Sequence, residues 1–156
     1  MTEQHDLTGF NKNYLVKGLT AEQIQAIFSI AKVKTFPTGE RIICAGTTSA
    51  DVFVILSGTV RVHLPYGDKL AEVTAGAVLG EMALIDARPR SADAICQDQV
   101  VAAVFDANAL RSYLNQNRDL GFLVMVNLSQ VLCGRLRDSN AKIEFLSEGD
   151  VWKHAL

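Results

Sequence analysis

The stretch Gly80 to Ala92 reads GEMALIDARPRSA, and it determines how the rest of the chain is interpreted. Gly80 lets the main chain approach a ligand closely, because a residue without a Cβ neither blocks the approach nor restricts φ. The four residues that follow suit a single helical turn, whose free N–H groups form a natural anion site. Arg90 lies beyond a loop closed by Pro89, and it can return to face the same anion with a planar charged fork. The segment therefore predicts a phosphate-binding loop.

Glu81 is a carboxylate beside the expected phosphate, where a second negative charge would repel the ligand. The repulsion is avoided if Glu81 accepts hydrogen bonds from sugar hydroxyls while Arg90 balances the local charge. A ligand with one anionic phosphate and a neighbouring hydroxyl meets both requirements. The segment thus indicates a ribose cyclic phosphate.

The same residues resemble the phosphate-binding cassette of the cyclic nucleotide-binding domain family. The family pattern is Gly-Glu, two or three apolar or small residues, a short variable loop, and then Arg, a small residue and Ala. The resemblance extends from about Leu19 to about Leu146. The residues that match this pattern are Gly80, Glu81, Met82, Ala83, Leu84, Pro89, Arg90, Ser91 and Ala92. The resemblance implies that all of them except Leu84 and Pro89 bind the nucleotide.

Ser91 favours cyclic AMP as the ligand within this resemblance. Family members tuned to cyclic GMP tend to carry Thr at this place, whereas the catabolite activator branch carries Ser. Because a serine hydroxyl can also serve a guanine, cyclic GMP stays open as a second ligand. Four apolar residues either line the base pocket or belong to the plain core: Val62, Leu64, Leu70 and Val73.

Glycine-containing turns divide the region from Val33 to Phe105 into short segments rich in Val, Ile and Leu. Such spacing is typical of a β-sandwich or jelly roll. Val60 and Val62 alternate with polar neighbours, which predicts a strand with one buried face. The predicted fold class is mainly β with flanking helices. The resemblance implies a double-stranded β-helix, or jelly-roll, barrel followed by a long C-terminal helix.

Three helices are expected around this barrel. Thr20 and Gln23 form a capping box for the first, whose apolar face includes Ile27. Asp106 caps the second.

The third helix begins near Arg118 and is apolar around too much of its circumference for a single contact. We expect one side to cover the barrel and the other to pair with a second subunit; packing on its own barrel alone is the alternative. The expected seam consists of Leu132, Leu136, Ile143 and Leu146.

The run from Arg135 to Ile143 resembles the dimer helix of the catabolite activator branch. The resemblance implies that Ser139 and Asn140 contact the base, one from the subunit that holds the nucleotide and one from its partner. Both side chains can hydrogen-bond a base edge, and two solvated polar residues are the alternative. The segment from Glu144 to Leu156 has no room for a helix-turn-helix domain. If the sequence is complete, we therefore expect no direct binding of nucleic acid by this chain.

The chain is expected to consist of an N-terminal arm (residues 1–18), the barrel with its flanking helices (19–116), a dimerisation and lid helix (117–146) and a tail (147–156). Apolar residues make up 49% of the 156 residues, which suffices for a core without disulfides. The net charge of −2 does not indicate a positively charged surface for binding nucleic acid. Cys44, Cys96 and Cys133 are expected to be small buried hydrophobes in a reducing cytosol.

The N-terminus carries no leader signature, and no stretch was expected to be long and uncharged enough to span a bilayer. These features predict a cytoplasmic protein without a membrane partner.

An enzyme is the first alternative class, because barrels of this outline also hold metal-dependent oxygenases and isomerases. Those enzymes need His and carboxylate ligands on facing strands. The three histidines here are His5, His63 and His154, and two of them lie in terminal segments. The sequence contains neither a GxSxG motif nor a recognisable nucleophile–histidine arrangement. We therefore expect no catalysis, no cofactor and no metal.

The prediction is a cyclic nucleotide-binding sensor that binds cyclic AMP as a homodimer. Its C-terminal helix would relay occupancy to a downstream partner that the sequence does not identify. The alternative is a module that keeps this fold for protein interaction and binds no ligand.

Overall fold

The computed structural model describes residues 7–66 and 69–154, with side chains described at 7–66 and 71–147. Within these ranges the strands are β1 (Lys32–Phe36), β2 (Arg41–Ile43), β3 (Asp51–Ser57), β4 (Val60–His63), β5 (Lys69–Val73), β6 (Val78–Leu79), β7 (Asp93–Cys96) and β8 (Val100–Asp106). The helices are α1 (Ala21–Ser29), α2 (Ala107–Gln116) and α3 (Arg118–His154). Residues 7–10 are also helical, and two 3₁₀ turns span Tyr14–Val16 and Glu81–Leu84.

The strands form two antiparallel sheets, in the orders β1-β8-β3-β6 and β2-β7-β4-β5. A cluster of buried side chains from both sheets, including Phe53, Val60 and Ala102, fills the space between them. This arrangement of mostly antiparallel sheets with flanking helices confirms the predicted fold class.

Strand β3 lies at the centre of the molecule and is buried on both faces. Val52 and Val54 join the apolar cluster under the helices, whereas Phe53 and Ile55 join the cluster between the sheets. A strand buried on both faces reads as a continuous apolar run, which explains why this segment shows no alternation in the sequence.

The first two helices begin where the sequence predicts. Thr20 accepts a hydrogen bond from Gln23 N at 3.2 Å, and Gln23 Oε1 accepts one from Thr20 N at 2.9 Å, which completes the capping box. Asp106 Oδ1 accepts from Ala109 N at 2.9 Å and caps α2. Ile27 is buried in the cluster under the helices, as its place on the apolar face of α1 requires.

The described part of the N-terminal arm is bound firmly to the body. Phe10, Leu15 and Val16 are buried. Asn127 of α3 donates hydrogen bonds to Leu15 O at 3.0 Å and to Lys17 O at 2.9 Å. The segment predicted as an N-terminal arm is therefore an integral part of the domain from residue 7 onward.

Helix α3 has a packed first half and an exposed second half. Leu120, Val124 and Leu128 are buried against the barrel. Beyond them, Leu136 is 62% exposed and Ile143 is 60% exposed. The helix continues to His154, past the predicted end at residue 146 and into the residues expected to form a tail.

The cysteines and the apolar content of α3 correct two sequence expectations. Cys96 is buried and Cys44 is half-buried, but Cys133 is exposed, because it lies about half a helical turn from Val131 and Arg135 and thus on the opposite face of α3. Residues 118–147 are, by length and composition alone, apolar enough to cross a membrane. The expectation of no such stretch was wrong, although one such helix is weak evidence for a span, since core helices of soluble proteins have the same composition.

Candidate functional site

Gly80 begins the 3₁₀ turn Glu81–Leu84 with a left-handed backbone, at φ 77°. A Cβ at this position would lie 2.6 Å from Arg90 Nη1 and 2.7 Å from the carbonyl oxygen of Asp51. Both the conformation and the space therefore require glycine. The close approach of the turn to β3 and to Arg90 depends on this residue.

Arg90 is held by the backbone around it. Its Nη1 donates to Gly80 O at 3.1 Å, and its Nη2 donates to Asp51 O. Its Nε donates to Ser49 Oγ at 3.3 Å. Burial lowers the pKa of Arg90, while Asp51 and Glu81 act in the opposite direction. The guanidinium stays charged at neutral pH, and its plane is fixed before any ligand arrives.

Glu81 is 5% exposed and carries an ion pair with α3. Arg135 Nη1 donates a hydrogen bond to Glu81 Oε1. The Arg135 side chain is itself 54% exposed, so the pair joins a buried carboxylate to a cation at the surface. Sequence reasoning missed Arg135, because no local signal connects it with a residue so distant in the chain.

Arg111 of α2 holds the far end of the same turn. Its Nε donates to Leu84 O at 3.1 Å and its Nη2 donates to Ala83 O at 2.7 Å. These bonds satisfy carbonyl groups at the C-terminal end of the turn. Ala83 N donates to Gly80 O at 3.1 Å, so the N–H groups of Glu81 and Met82 are those that the turn itself leaves available to an anion. The sequence analysis did not single out Arg111 either.

Gly80, Glu81, Arg90 and Arg135 line one cavity of about 660 Å³, within the range of about 300 to 1,000 Å³ that is usual for small-molecule sites. The cavity brings together every cassette residue predicted to bind the nucleotide: Gly80, Glu81, Met82, Ala83, Arg90, Ser91 and Ala92. Val62 and Val73 also line it, and their role in a base pocket stays a prediction. Leu64 is not among the lining residues, and the side chain of Leu70 lies outside the described residues.

Ser139 and Asn140 are not brought into this cavity. Both are exposed on α3, about one helical turn after Arg135, which does line it. Their contact with the base stays a prediction.

The described part of the chain contains no group of three or more His, Cys, Asp or Glu residues placed to hold a metal ion. Of the three histidines, only His63 has a described side chain.

Residues 33–117 match the family described as the cyclic nucleotide-binding domain. The chain is 32% identical to Glutaminase 1 of Bradyrhizobium diazoefficiens over 143 residues, which are 92% of this chain and 23% of that protein. It is 32% identical to the cyclic AMP receptor protein of Thermus thermophilus, over 85% of this chain and 62% of that protein. A crystal structure of a cyclic nucleotide-binding domain from Methylobacillus flagellatus superposes with a TM-score of 0.76 at 30% identity, covering 90% of this chain and 81% of that one.

Proposed function

Because this chain belongs to the cyclic nucleotide-binding domain family, we propose that its cavity binds cyclic AMP and that occupancy is relayed through α3. The observation that supports this most directly is the meeting of Gly80, Glu81 and Arg90 in one cavity. Arg90 is already oriented there by carbonyl oxygens of the main chain. Binding would therefore spend little free energy on ordering the cation.

In the proposed complex the cyclic phosphate lies between the N-terminal end of the 3₁₀ turn and Arg90. The turn offers its free N–H groups, and the guanidinium supplies the opposite charge. Gly80 allows the two to come within reach of the same phosphate. Arg111 fixes the turn from its other end, so the N–H groups keep their direction.

Glu81 would accept a hydrogen bond from the ribose hydroxyl. The ion pair with Arg135 engages Oε1 and leaves Oε2 for a ligand. The same pair offsets the negative charge of Glu81, so the carboxylate repels the phosphate less strongly.

The pair between Glu81 and Arg135 also supports the proposed relay, because it links the cassette directly to α3. A ligand that changes the hydrogen bonds of Glu81 changes the contact that holds α3 at this point. If α3 can occupy two positions, the ligand shifts the equilibrium between them only as far as it binds one of them more tightly than the other. The exposed apolar side chains of the second half of α3 would then lie in a homodimer seam, including Leu136 and Ile143.

Cyclic AMP is the proposed nucleotide for two reasons. Ser91 stands at the cassette position where cyclic GMP-tuned members tend to carry Thr. The Thermus thermophilus relative, at 32% identity, is a cyclic AMP receptor protein. We place the protein in the cytoplasm, in keeping with three free cysteines.

The chain spans only 23% of the length of Glutaminase 1. We infer that the shared segment is a regulatory domain in both proteins, and that glutaminase activity belongs to the remainder of that relative.

Isothermal titration calorimetry of this chain with cyclic AMP, cyclic GMP and 5′-AMP tests the proposal. 5′-AMP has the same base but lacks the cyclised phosphate. We expect saturable binding of cyclic AMP, weaker binding of cyclic GMP and little heat with 5′-AMP. No heat with either cyclic nucleotide would refute the sensor and favour the interaction module.

A further inference from the structure

Tyr14 enters the cavity from the N-terminal segment, which the predicted site does not include. Its side chain lines the cavity together with Glu81 and Arg135. The ring also packs against the apolar cluster under the helices. Tyr14 therefore contacts the core with its ring and also forms part of the cavity wall.

The hydroxyl group of Tyr14 is buried and has no hydrogen-bond partner among the described residues. A buried hydroxyl without a partner costs free energy, so such a group is usually satisfied by water or a ligand. Burial raises the pKa of Tyr14; Glu81 raises it further and Arg135 lowers it. The hydroxyl is thus a neutral donor that interacts electrostatically with Glu81 and Arg135, two of the charged residues that line the cavity.

The backbone that carries Tyr14 is held in place. Asn13 Oδ1 accepts from Leu15 N at 3.0 Å, and Asn13 Nδ2 donates to Phe10 O at 2.6 Å. Asn127 of α3 holds the other end of the turn through Leu15 O. The position of the hydroxyl is consequently fixed by the fold and does not depend on a free terminus.

We propose that the Tyr14 hydroxyl is a second polar contact for the ribose hydroxyl of the bound nucleotide, beside Glu81. This inference rests on the proposed function and adds a residue to its ribose end. The ribose hydroxyl would donate to Glu81 and accept from Tyr14, so its donor and acceptor capacities are both used. The N-terminal segment thereby becomes part of the binding site.

Tyr14→Phe removes only the hydroxyl, and Tyr113→Phe is the matched control. Tyr113 is also a partly buried tyrosine packed against the same cluster, but it is not among the residues that line the cavity. Both variants and the unaltered protein are titrated calorimetrically with cyclic AMP and with 2′-deoxy cyclic AMP. Thermal unfolding without ligand checks that the fold is intact.

We expect Tyr14→Phe to weaken binding of cyclic AMP about 2- to 13-fold, the range for one neutral hydrogen bond. Binding of the 2′-deoxy ligand should not change, because that ligand lacks the group that Tyr14 contacts. The melting temperature should be equal or higher, since the variant no longer buries an unpaired hydroxyl. Tyr113→Phe should leave both affinities unchanged.

Equal losses with both ligands would show that Tyr14 acts on packing and would overturn the inference. Unchanged affinity for cyclic AMP in Tyr14→Phe would overturn it as well, while leaving the proposed function standing. If the unaltered protein bound neither ligand, the proposed function itself would fail.

Discussion

Replacing Gly80 by Ala tests whether the close approach of the turn to Arg90 governs binding. The new Cβ would lie 2.6 Å from Arg90 Nη1 and 2.7 Å from Asp51 O. The carbonyl belongs to a central strand and cannot withdraw, so both the guanidinium and the turn that begins at residue 80 must move. Gly39→Ala is the matched control, because Gly39 has a similar φ of 87° but nothing within 4 Å of an added Cβ.

Gly39→Ala and Gly80→Ala share the free-energy cost of a left-handed backbone, but only Gly80→Ala also displaces Arg90. A left-handed backbone costs a residue with a Cβ about 1 to 2 kcal/mol, and both variants should lose that much free energy of unfolding. Gly80→Ala should lose a further 1.5 to 3 kcal/mol, roughly the worth of a charged hydrogen bond, because Arg90 leaves its carbonyl partners. If the same displacement removes Arg90 from the phosphate, affinity should fall about 10- to 150-fold.

Urea unfolding gives the free energies of unfolding, and calorimetry with cyclic AMP gives the affinities. We expect Gly39→Ala to lower stability without changing affinity, whereas Gly80→Ala lowers both. Equal affinities in the two variants would refute the reasoning, since they would show that the contact between Gly80 and Arg90 does not position the phosphate site.

Two further predictions concern α3. Arg135→Ala leaves the buried carboxylate of Glu81 without its partner, so it should lower the free energy of unfolding by about 1 to 3 kcal/mol in urea. Lys142→Ala, which removes an exposed cation from the same helix, should have little effect, and equal midpoints for the two variants would argue against a structural role for the pair. The double variant Leu136→Asp with Ile143→Asp should be monomeric by light scattering if these side chains form the dimer seam. A protein that is already monomeric before substitution would contradict the seam.

The fold could be predicted because its signals are local. The capping box of α1, the Asp106 cap of α2 and the glycine-punctuated strands depend on residues close together in the chain. Gly80 could be singled out for the same reason, since the turn that requires it begins at the next residue.

The rest of the site depends on contacts between distant segments. Arg90 donates to Asp51 O, and Arg135 donates to Glu81. Each pair is far apart in the sequence, so no local pattern of residues predicts the contact. Tyr14 lies in a polar segment whose backbone Asn127 holds through Leu15 O, and these two residues are far apart in the chain. Cys133 was wrongly predicted to be buried, because the sequence does not show which face of a long helix meets the domain.

The most direct test of the central claim is the affinity of Arg90→Ala for cyclic AMP, measured by calorimetry beside Arg118→Ala. Arg118 is an exposed arginine at the start of α3, so its removal controls for the loss of one positive charge. We expect Arg90→Ala to cost about 2 to 5 kcal/mol of binding free energy, or roughly 30-fold to several thousand-fold in affinity, and Arg118→Ala to bind normally. Binding of cyclic AMP by Arg90→Ala at the unaltered affinity would contradict the proposed phosphate site.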